Sequence, residues 1–184
     1  GFKTTVLSTE KTGHVHFTFK GGKDALSNYF EALKPQLLKS TASLTKNMEK
    51  RGGGILDLQL IDCTSKMPHY YQLEVTFETA DAMGANFINS CLEQIAVTFE
   101  TLSKEASNLK GFLPEVVMSI LSNYVPNCVV RAEVSCAVDD LTLDGHFTGS
   151  EFAEKFIQAV RIAEVEPFRA VTHNKGIMNG VDAV

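Results

Sequence analysis

The sequence predicts an α+β fold: a ferredoxin-like split-βαβ sandwich, with an antiparallel sheet carrying two helices on one face, followed by a helical segment. Three observations predict it. Apolar residues alternate with polar ones over residues 15–20, 56–61 and 71–78, the period of half-buried strands. Helical periodicity fills the gaps between these runs, in the order βαββαβ plus one extra strand. After Asp139-Asp140 the alternation stops and only helical patterns remain.

In the first strand Val15, Phe17 and Phe19 alternate with His16, Thr18 and Lys20, and Gly21-Gly22 ends it. A helix follows from about Asp24, which can cap it, with Leu26, Tyr29, Phe30, Leu33, Leu37 and Leu38 on one side. Pro35 is expected to kink or split it. Lys39 to Arg51 reads as a solvated helix end, and Arg51-Gly52-Gly53-Gly54 breaks the chain. Leu56, Leu58 and Leu60 then alternate with Asp57, Gln59 and Ile61, and Tyr71, Leu73, Val75 and Phe77 with Gln72, Glu74, Thr76 and Glu78. The turn between them holds Ser65, Lys66 and Pro68, so the pair reads as an antiparallel hairpin.

A long helix is expected from about Ala82 to Leu102, with Ile88, Cys91, Leu92, Ile95, Phe99 and Leu102 at helical spacing. Lys110-Gly111 closes that connection. Residues 116–121 and 129–138 read as strands, the second placing Cys136 in the core. A helix from about Ser150 to Glu164 carries Phe152, Phe156, Val160 and Ala163, and a last helix starts at Pro167, a favourable first-turn residue. These patterns place a boundary near residue 145, with a sheet domain over 1–145 and a helical segment over 146–184.

Composition limits the function classes. The 184 residues carry 17 Lys and Arg against 22 Asp and Glu, a net charge of −5. General affinity for nucleic acid or anionic membrane needs a basic field, so neither is expected. A single-strand RNA reader is disfavoured too, because the outward strand positions include Glu74 and Glu78 where stacking aromatics would be needed. No apolar run reaches the ~20 residues of a spanning helix, and the opening GFKTTVLSTEK has no apolar core segment of a signal peptide. Cys63, Cys91, Cys128 and Cys136 are far apart and form no CxxC, which fits buried or idle thiols in a reducing, cytoplasmic setting and neither a disulfide framework nor a zinc knuckle. His14 and His16 share a strand face but lack a third ligand, so no metal is expected.

Two segments carry chemistry. Placed at about 100° per residue from Arg169, Thr172 lies at about 300°, Lys175 at about 240° and Asn179 at about 280°. Gly176 and Gly180 fall on the same side, at about 340° and about 20°. Ala170, Val171, Ile177, Met178 and Val181 lie opposite, where a core is expected. A polar face is usual for a surface helix, but two glycines inside a helix cost about 1 kcal/mol each relative to alanine. They suit a face that a ligand or another backbone approaches closely, and Arg, Thr, Lys and Asn would meet a carboxylate or thioester oxygen there. The second segment, Asp81-Ala82-Met83-Gly84-Ala85-Asn86, opens the long helix with small residues whose amides could seat a pyrophosphate. Asp81 as a plain cap is the alternative. Asp57 could hydrogen-bond a ribose diol and repel a 2′-phosphate; the alternative is an exposed strand carboxylate.

Residues 166–184, EPFRAVTHNKGIMNGVDAV, closely resemble the catalytic-lysine segment of class II 3-hydroxy-3-methylglutaryl-CoA (HMG-CoA) reductases. The DAMGAN string at 81–86 resembles that family's cofactor-binding motif. Ile120-Leu121-Ser122-Asn123 and the Gly52-Gly53-Gly54 turn before Asp57 are similar to further landmarks in the same order. The resemblance implies an oxidoreductase that makes mevalonate and CoA from HMG-CoA by two hydride transfers from NAD(P)H. It implies an α+β small domain that binds the cofactor, inserted in a large helical substrate-binding domain. It makes Asp81, Ala82, Met83, Gly84, Ala85, Asn86 and Asn123 cofactor contacts. Asp57 becomes the ribose contact, favouring NAD while leaving NADP possible. Lys175 becomes the oxyanion stabiliser, with Arg169, Thr172 and Asn179 on the substrate side. It also implies a homodimer or higher oligomer. The family's catalytic set further needs a glutamate upstream, an aspartate in a GND motif and a late histidine, none of which this chain contains. So the chain alone is expected not to turn over HMG-CoA, and His173 is not their substitute. The competing reading, from another class, is a non-catalytic ferredoxin-like module that binds a small molecule.

Overall fold

The structure, a computed structural model, describes residues 1–109, 111–142 and 145–183. The chain divides into two compact units, Thr4–Arg131 and a second made of Gly1–Lys3 with Ala132–Val184. Along the chain to residue 133 the order is β1 (Lys3–Thr9), β2 (Lys11–Thr18), α1 (Lys23–Ser40), α2 (Ala42–Glu49), β3 (Gly54–Asp62), β4 (Tyr70–Glu78), α3 (Ala85–Ser103), β5 (Glu115–Leu121) and β6 (Cys128–Glu133). A four-stranded sheet has the order β3-β4-β2-β5, and β1 pairs with β6 in a separate two-stranded sheet. Every resolved pairing in the larger sheet is antiparallel. Strand β4 is threaded between β2 and β3, and β2 between β4 and β5, which is the split-βαβ arrangement the sequence predicts.

The strand alternation translates directly into layers. Val15 and Phe17 of β2, and Tyr71, Leu73, Val75 and Phe77 of β4, are buried against Leu26, Phe30 and Leu37 of α1 and Ile88, Leu92, Ile95 and Phe99 of α3. Phe17 stacks on Tyr71 and meets the edge of Phe99, at ring separations of 5.8 and 5.0 Å. Full burial of side chains this size contributes about 1.5–3 kcal/mol each. Gly13 lets α3 sit close on β2, since a Cβ there would lie 2.6 Å from Leu92 Cδ1.

Several local expectations are corrected. Helix α1 starts at Lys23 with Gly22 as N-cap, so Asp24 lies in the first turn and does not cap. Pro35 does not split the helix, which runs unbroken from Lys23 to Ser40; the break comes at Thr41. Pro35 is exposed, where water can serve the carbonyl that loses its amide partner, while buried Leu33 and Leu37 hold both sides to the core. The stretch after Lys39 is a helix in its own right and buries Thr45 and Met48. In β3 the register shifts between Ile55 and Asp57, which turns Leu56 outward and breaks its alternation with Leu58. Strand β1, unannounced by its sequence, is exposed over most of its length, so no face had to become apolar. Strand β6 ends at Glu133, leaving Cys136 exposed, not in the core. Lys110 lies outside the described residues.

The second unit contains α4 (Gly149–Val165) and α5 (Pro167–Asp182). Thr148 and Glu151 form a reciprocal capping box at the start of α4, and Glu166 caps α5 ahead of Pro167. No residue of α5 is buried, so Val171, Ile177, Met178 and Val181 do not face a core within this chain. No described helix is long and apolar enough to cross a membrane.

Candidate functional site

One end of the four-stranded sheet gathers the sequence-predicted residues 81–86 and Asn123, while Asp57 lies elsewhere. Gly54 at the start of β3 lies opposite Glu78 at the end of β4, Lys11 at the start of β2 opposite Phe77, and Gly13 opposite Leu121 at the end of β5. The loop of residues 79–84, the N-terminus of α3 and the segment after β5 therefore emerge together.

The loop is built on Thr79. Its buried hydroxyl donates to the Ala82 carbonyl at 2.6 Å and accepts from Lys11 Nζ at 2.7 Å, while its carbonyl accepts the Ala82 amide at 3.0 Å. Ala80 and Gly84 both take the left-handed backbone conformation, with φ of 52° and 79°. A Cβ on Gly84 would lie 2.5 Å from Thr79 Cγ2, so glycine is required by conformation and by space. Gly84 is the N-cap of α3 and no side chain caps the helix. Asp81 is thus not its cap; its carboxylate pairs with Arg51 at the surface. The helix starts three residues later than Ala82, and its first internal bond is Ile88 N–H to the Gly84 carbonyl at 2.9 Å. The amides of Ala85, Asn86 and Phe87 precede it and have no acceptor within the helix.

Met83 and Asn123 line one cleft of about 120 Å³ with Lys11, Ile88, Leu121, Ser122 and Val125. The Leu121 amide is fixed by Asn89 Oδ1 at 3.0 Å and the Ser122 amide by the Thr12 carbonyl at 2.8 Å, which positions Asn123 at its rim. Met83, Ile88, Leu121 and Val125 make the lining of this cleft mainly apolar, with the Lys11, Ser122 and Asn123 side chains as its polar members. The first-turn amides of α3 form the positive end of that helix.

Asp57 lies in a different cleft, of about 390 Å³, between α1 and β3. Its carboxylate accepts from Gln59 Nε2 at 2.7 Å, Lys34 Nζ at 2.9 Å and the Leu58 amide at 2.8 Å. These donors, Gln59 first, lower its pKa to about 2. A depressed carboxylate contributes stability above its unfolded value of about 4 and loses it as pH falls towards about 2. Asp57→Asn is therefore expected to be less stable than wild type at pH 7 by about 0.2–1 kcal/mol, the range of a solvent-screened pair. The gap should narrow as pH falls from about 4 towards about 2 in urea unfolding and close only below about 2; a gap that stays constant with pH would contradict the assignment.

On α5, Arg169, Thr172, Lys175 and Asn179 are all exposed. Lys175 Nζ donates to Asn179 Oδ1 at 3.5 Å, joining two of the predicted residues. The Thr172 hydroxyl donates to the Phe168 carbonyl at 2.9 Å, so in this arrangement it offers a ligand its acceptor lone pairs. The Arg169 amide is held by the Glu166 side chain at 2.6 Å. Nothing approaches within 4 Å of where a Cβ would stand on Gly176 or Gly180. The α4–α5 groove is lined by Val160, Ala163, Ala170, His173 and Ile177. On the sheet, His14 meets Glu74 at 3.2 Å and His16 meets the Tyr70 hydroxyl at 2.7 Å. Among the described residues no three His, Cys, Asp or Glu side chains converge on a metal position.

The family profile for hydroxymethylglutaryl-coenzyme A reductase matches residues 1–184. The chain belongs to that family. Among curated relatives, the reductase of Archaeoglobus fulgidus is 28% identical over 100% of this chain and 39% of its own. A probable reductase of Borreliella burgdorferi is 33% identical over 95% of this chain and 38% of its own. The chain thus spans about two-fifths of the length of these relatives. A solved reductase of Streptococcus pneumoniae superposes with a TM-score of 0.77 at 31% identity, over 99% of this chain and 46% of that one. A class II reductase of the same species, solved bound to NADPH in open conformations, superposes equally well, at 0.77 and 30% identity.

Within this reductase-family chain, residue reasoning missed Thr79, Lys11, Arg51 and Lys34. Thr79 looks like an ordinary strand end, and its role depends on a loop closing over it. The three cations sit far in sequence from the groups they contact; only the excess of basic residues around the glycine turn hinted at Arg51.

Proposed function

We propose that the chain supplies the cofactor-binding module and the substrate-side lysine of a hydroxymethylglutaryl-coenzyme A reductase. That enzyme reduces HMG-CoA to mevalonate and CoA by two hydride transfers, working as a homodimer or higher oligomer. The observation that carries the reading is Met83 and Asn123 lining one cleft at the start of an uncapped helix.

The residues present fit a dinucleotide. The free first-turn amides and Lys11 would take the pyrophosphate, Asn123 would hydrogen-bond the bound cofactor from the rim, and Asp57 would accept from a ribose hydroxyl. A carboxylate offers about four acceptor positions, and Asp57 has three engaged, so one is left for a ribose hydroxyl. The nicotinamide cofactor, when bound, supplies the hydride. Lys175 would hold the carbonyl oxygen on which negative charge develops, and Asn179 would keep the ammonium in place. Arg169 would bind a substrate carboxylate and Thr172 would accept a hydrogen bond from the substrate. We place the cofactor module in residues 1–145 and assign residues 146–184 to the substrate-binding domain.

Titration of the purified chain with NADH and NADPH, followed by nicotinamide fluorescence, tests the reading. Saturable binding is expected, weakened about tenfold by Asn123→Ala, the usual scale of a lost hydrogen bond to a polar ligand. Asn123 is exposed, so its removal should leave the fold intact. No saturable signal from either nucleotide would overturn the assignment.

A further inference from the structure

Lys34 has no part in the motifs above, yet it faces Asp57, the carboxylate assigned above to the cofactor ribose. It rises from α1 and reaches Asp57 Oδ1 at 2.9 Å across the cleft between α1 and β3. Both side chains remain partly open, at 31% and 42% of full exposure. The other charged group lining this cleft is Glu31, one turn before Lys34.

We propose that Lys34 is a specificity-determining residue that lets the ribose end of the site accept the 2′-phosphate of NADPH as well as the 2′-hydroxyl of NADH. This rests on the cofactor reading above. An unpaired Asp57 would favour a 2′-hydroxyl as a donor and repel a 2′-phosphate. Lys34 cancels that charge. It is also the movable member of the pair: its ammonium sits on a flexible four-carbon stem and can turn to a phosphate oxygen. Asp57 stays oriented when Lys34 leaves, because the Leu58 amide and Gln59 Nε2 hold Oδ1 and Oδ2 separately. So one arrangement serves a diol with Asp57 as acceptor, and the other serves a phosphate with Lys34 as donor.

The test is the ratio of Kd for NADPH to Kd for NADH, measured by calorimetry on the purified full chain. Partial unfolding of a variant weakens both nucleotides alike and leaves the ratio unmoved. Lys34→Met is expected to raise the ratio about tenfold or more, almost entirely through NADPH. Lys34→Arg, which keeps the charge, should hold the ratio near wild type, and Asp57→Asn should lower it. If Lys34→Met changes both nucleotides equally, or neither, the role of Lys34 is overturned while the cofactor site stands. If the wild-type chain binds neither nucleotide, the cofactor reading fails and this inference with it.

Discussion

Gly84→Ala is expected to destabilise the chain by about 2–4 kcal/mol, combining a left-handed backbone penalty with overpacking. At φ 79° any L side chain is strained, and the new Cβ would meet Thr79 Cγ2 at 2.5 Å. Thr79 cannot yield easily, since it is fully buried and tied to Lys11 and to Ala82. The loss should appear in urea unfolding as a lower midpoint with an unchanged slope. Nucleotide binding should weaken beyond the stability loss, because the loop would draw the first-turn amides of α3 out of position. Thr79→Ser removes the clashing methyl and keeps the hydroxyl, so adding it to Gly84→Ala should recover part of the loss. A Gly84→Ala protein within about 0.5 kcal/mol of wild type, the level of an ordinary surface change, would show that the modest left-handed turn is not needed.

Lys175→Met should lower kcat by about 10²–10³ in a full-length reductase carrying this segment, the usual cost of one oxyanion donor. KM should change little, because the charge being stabilised develops only on the way to the transition state. Thermal stability should not move: Lys175 is exposed and its contact is a long hydrogen bond to Asn179. The neighbouring glycines sharpen the test. Gly176→Ala and Gly180→Ala meet open space and should stabilise α5 by about 1 kcal/mol each through helix propensity. If the face is approached by substrate, the same changes should reduce activity. Variants that gain stability and keep full activity would return α5 to a plain solvated helix, and full activity in Lys175→Met would remove the lysine from the chemistry.

The legible parts of the fold were those where one face is apolar and the other is not. Residues 71–78 alternate cleanly, and Tyr71, Leu73, Val75 and Phe77 are buried in that order. Pro167 starts α5 as its position suggested. Elements without a buried face, such as β1, left no pattern to read. Pro35 misled because proline reports a local penalty, whereas Leu33 and Leu37 packing on both sides outweighs it. Leu56 misled because a bulge re-phases the strand without altering its composition.

The candidate site divides the same way. The residue types and their order singled out residues 81–86, Asp57 and the polar stripe of α5, and resemblance added Asn123. Which of these meet was not legible. Met83 and Asn123 line one cleft because β2 is threaded between β4 and β5, bringing the ends of those two strands to the same end of the sheet. Asp57 sits apart because β3 is the opposite edge strand.

By itself, then, the amino-acid order determined the split sheet, the buried faces of α1 and α3 and the chemical groups on offer, since periodicity and side-chain type act through near neighbours along the chain. Tertiary structure alone decided the Thr79–Lys11 support under the loop, the Arg51–Asp81 surface pair, and the Lys34–Asp57 pair. Those contacts join residues 23 to 68 positions apart, and such distances along the chain are closed only when the core brings the strands and helices together.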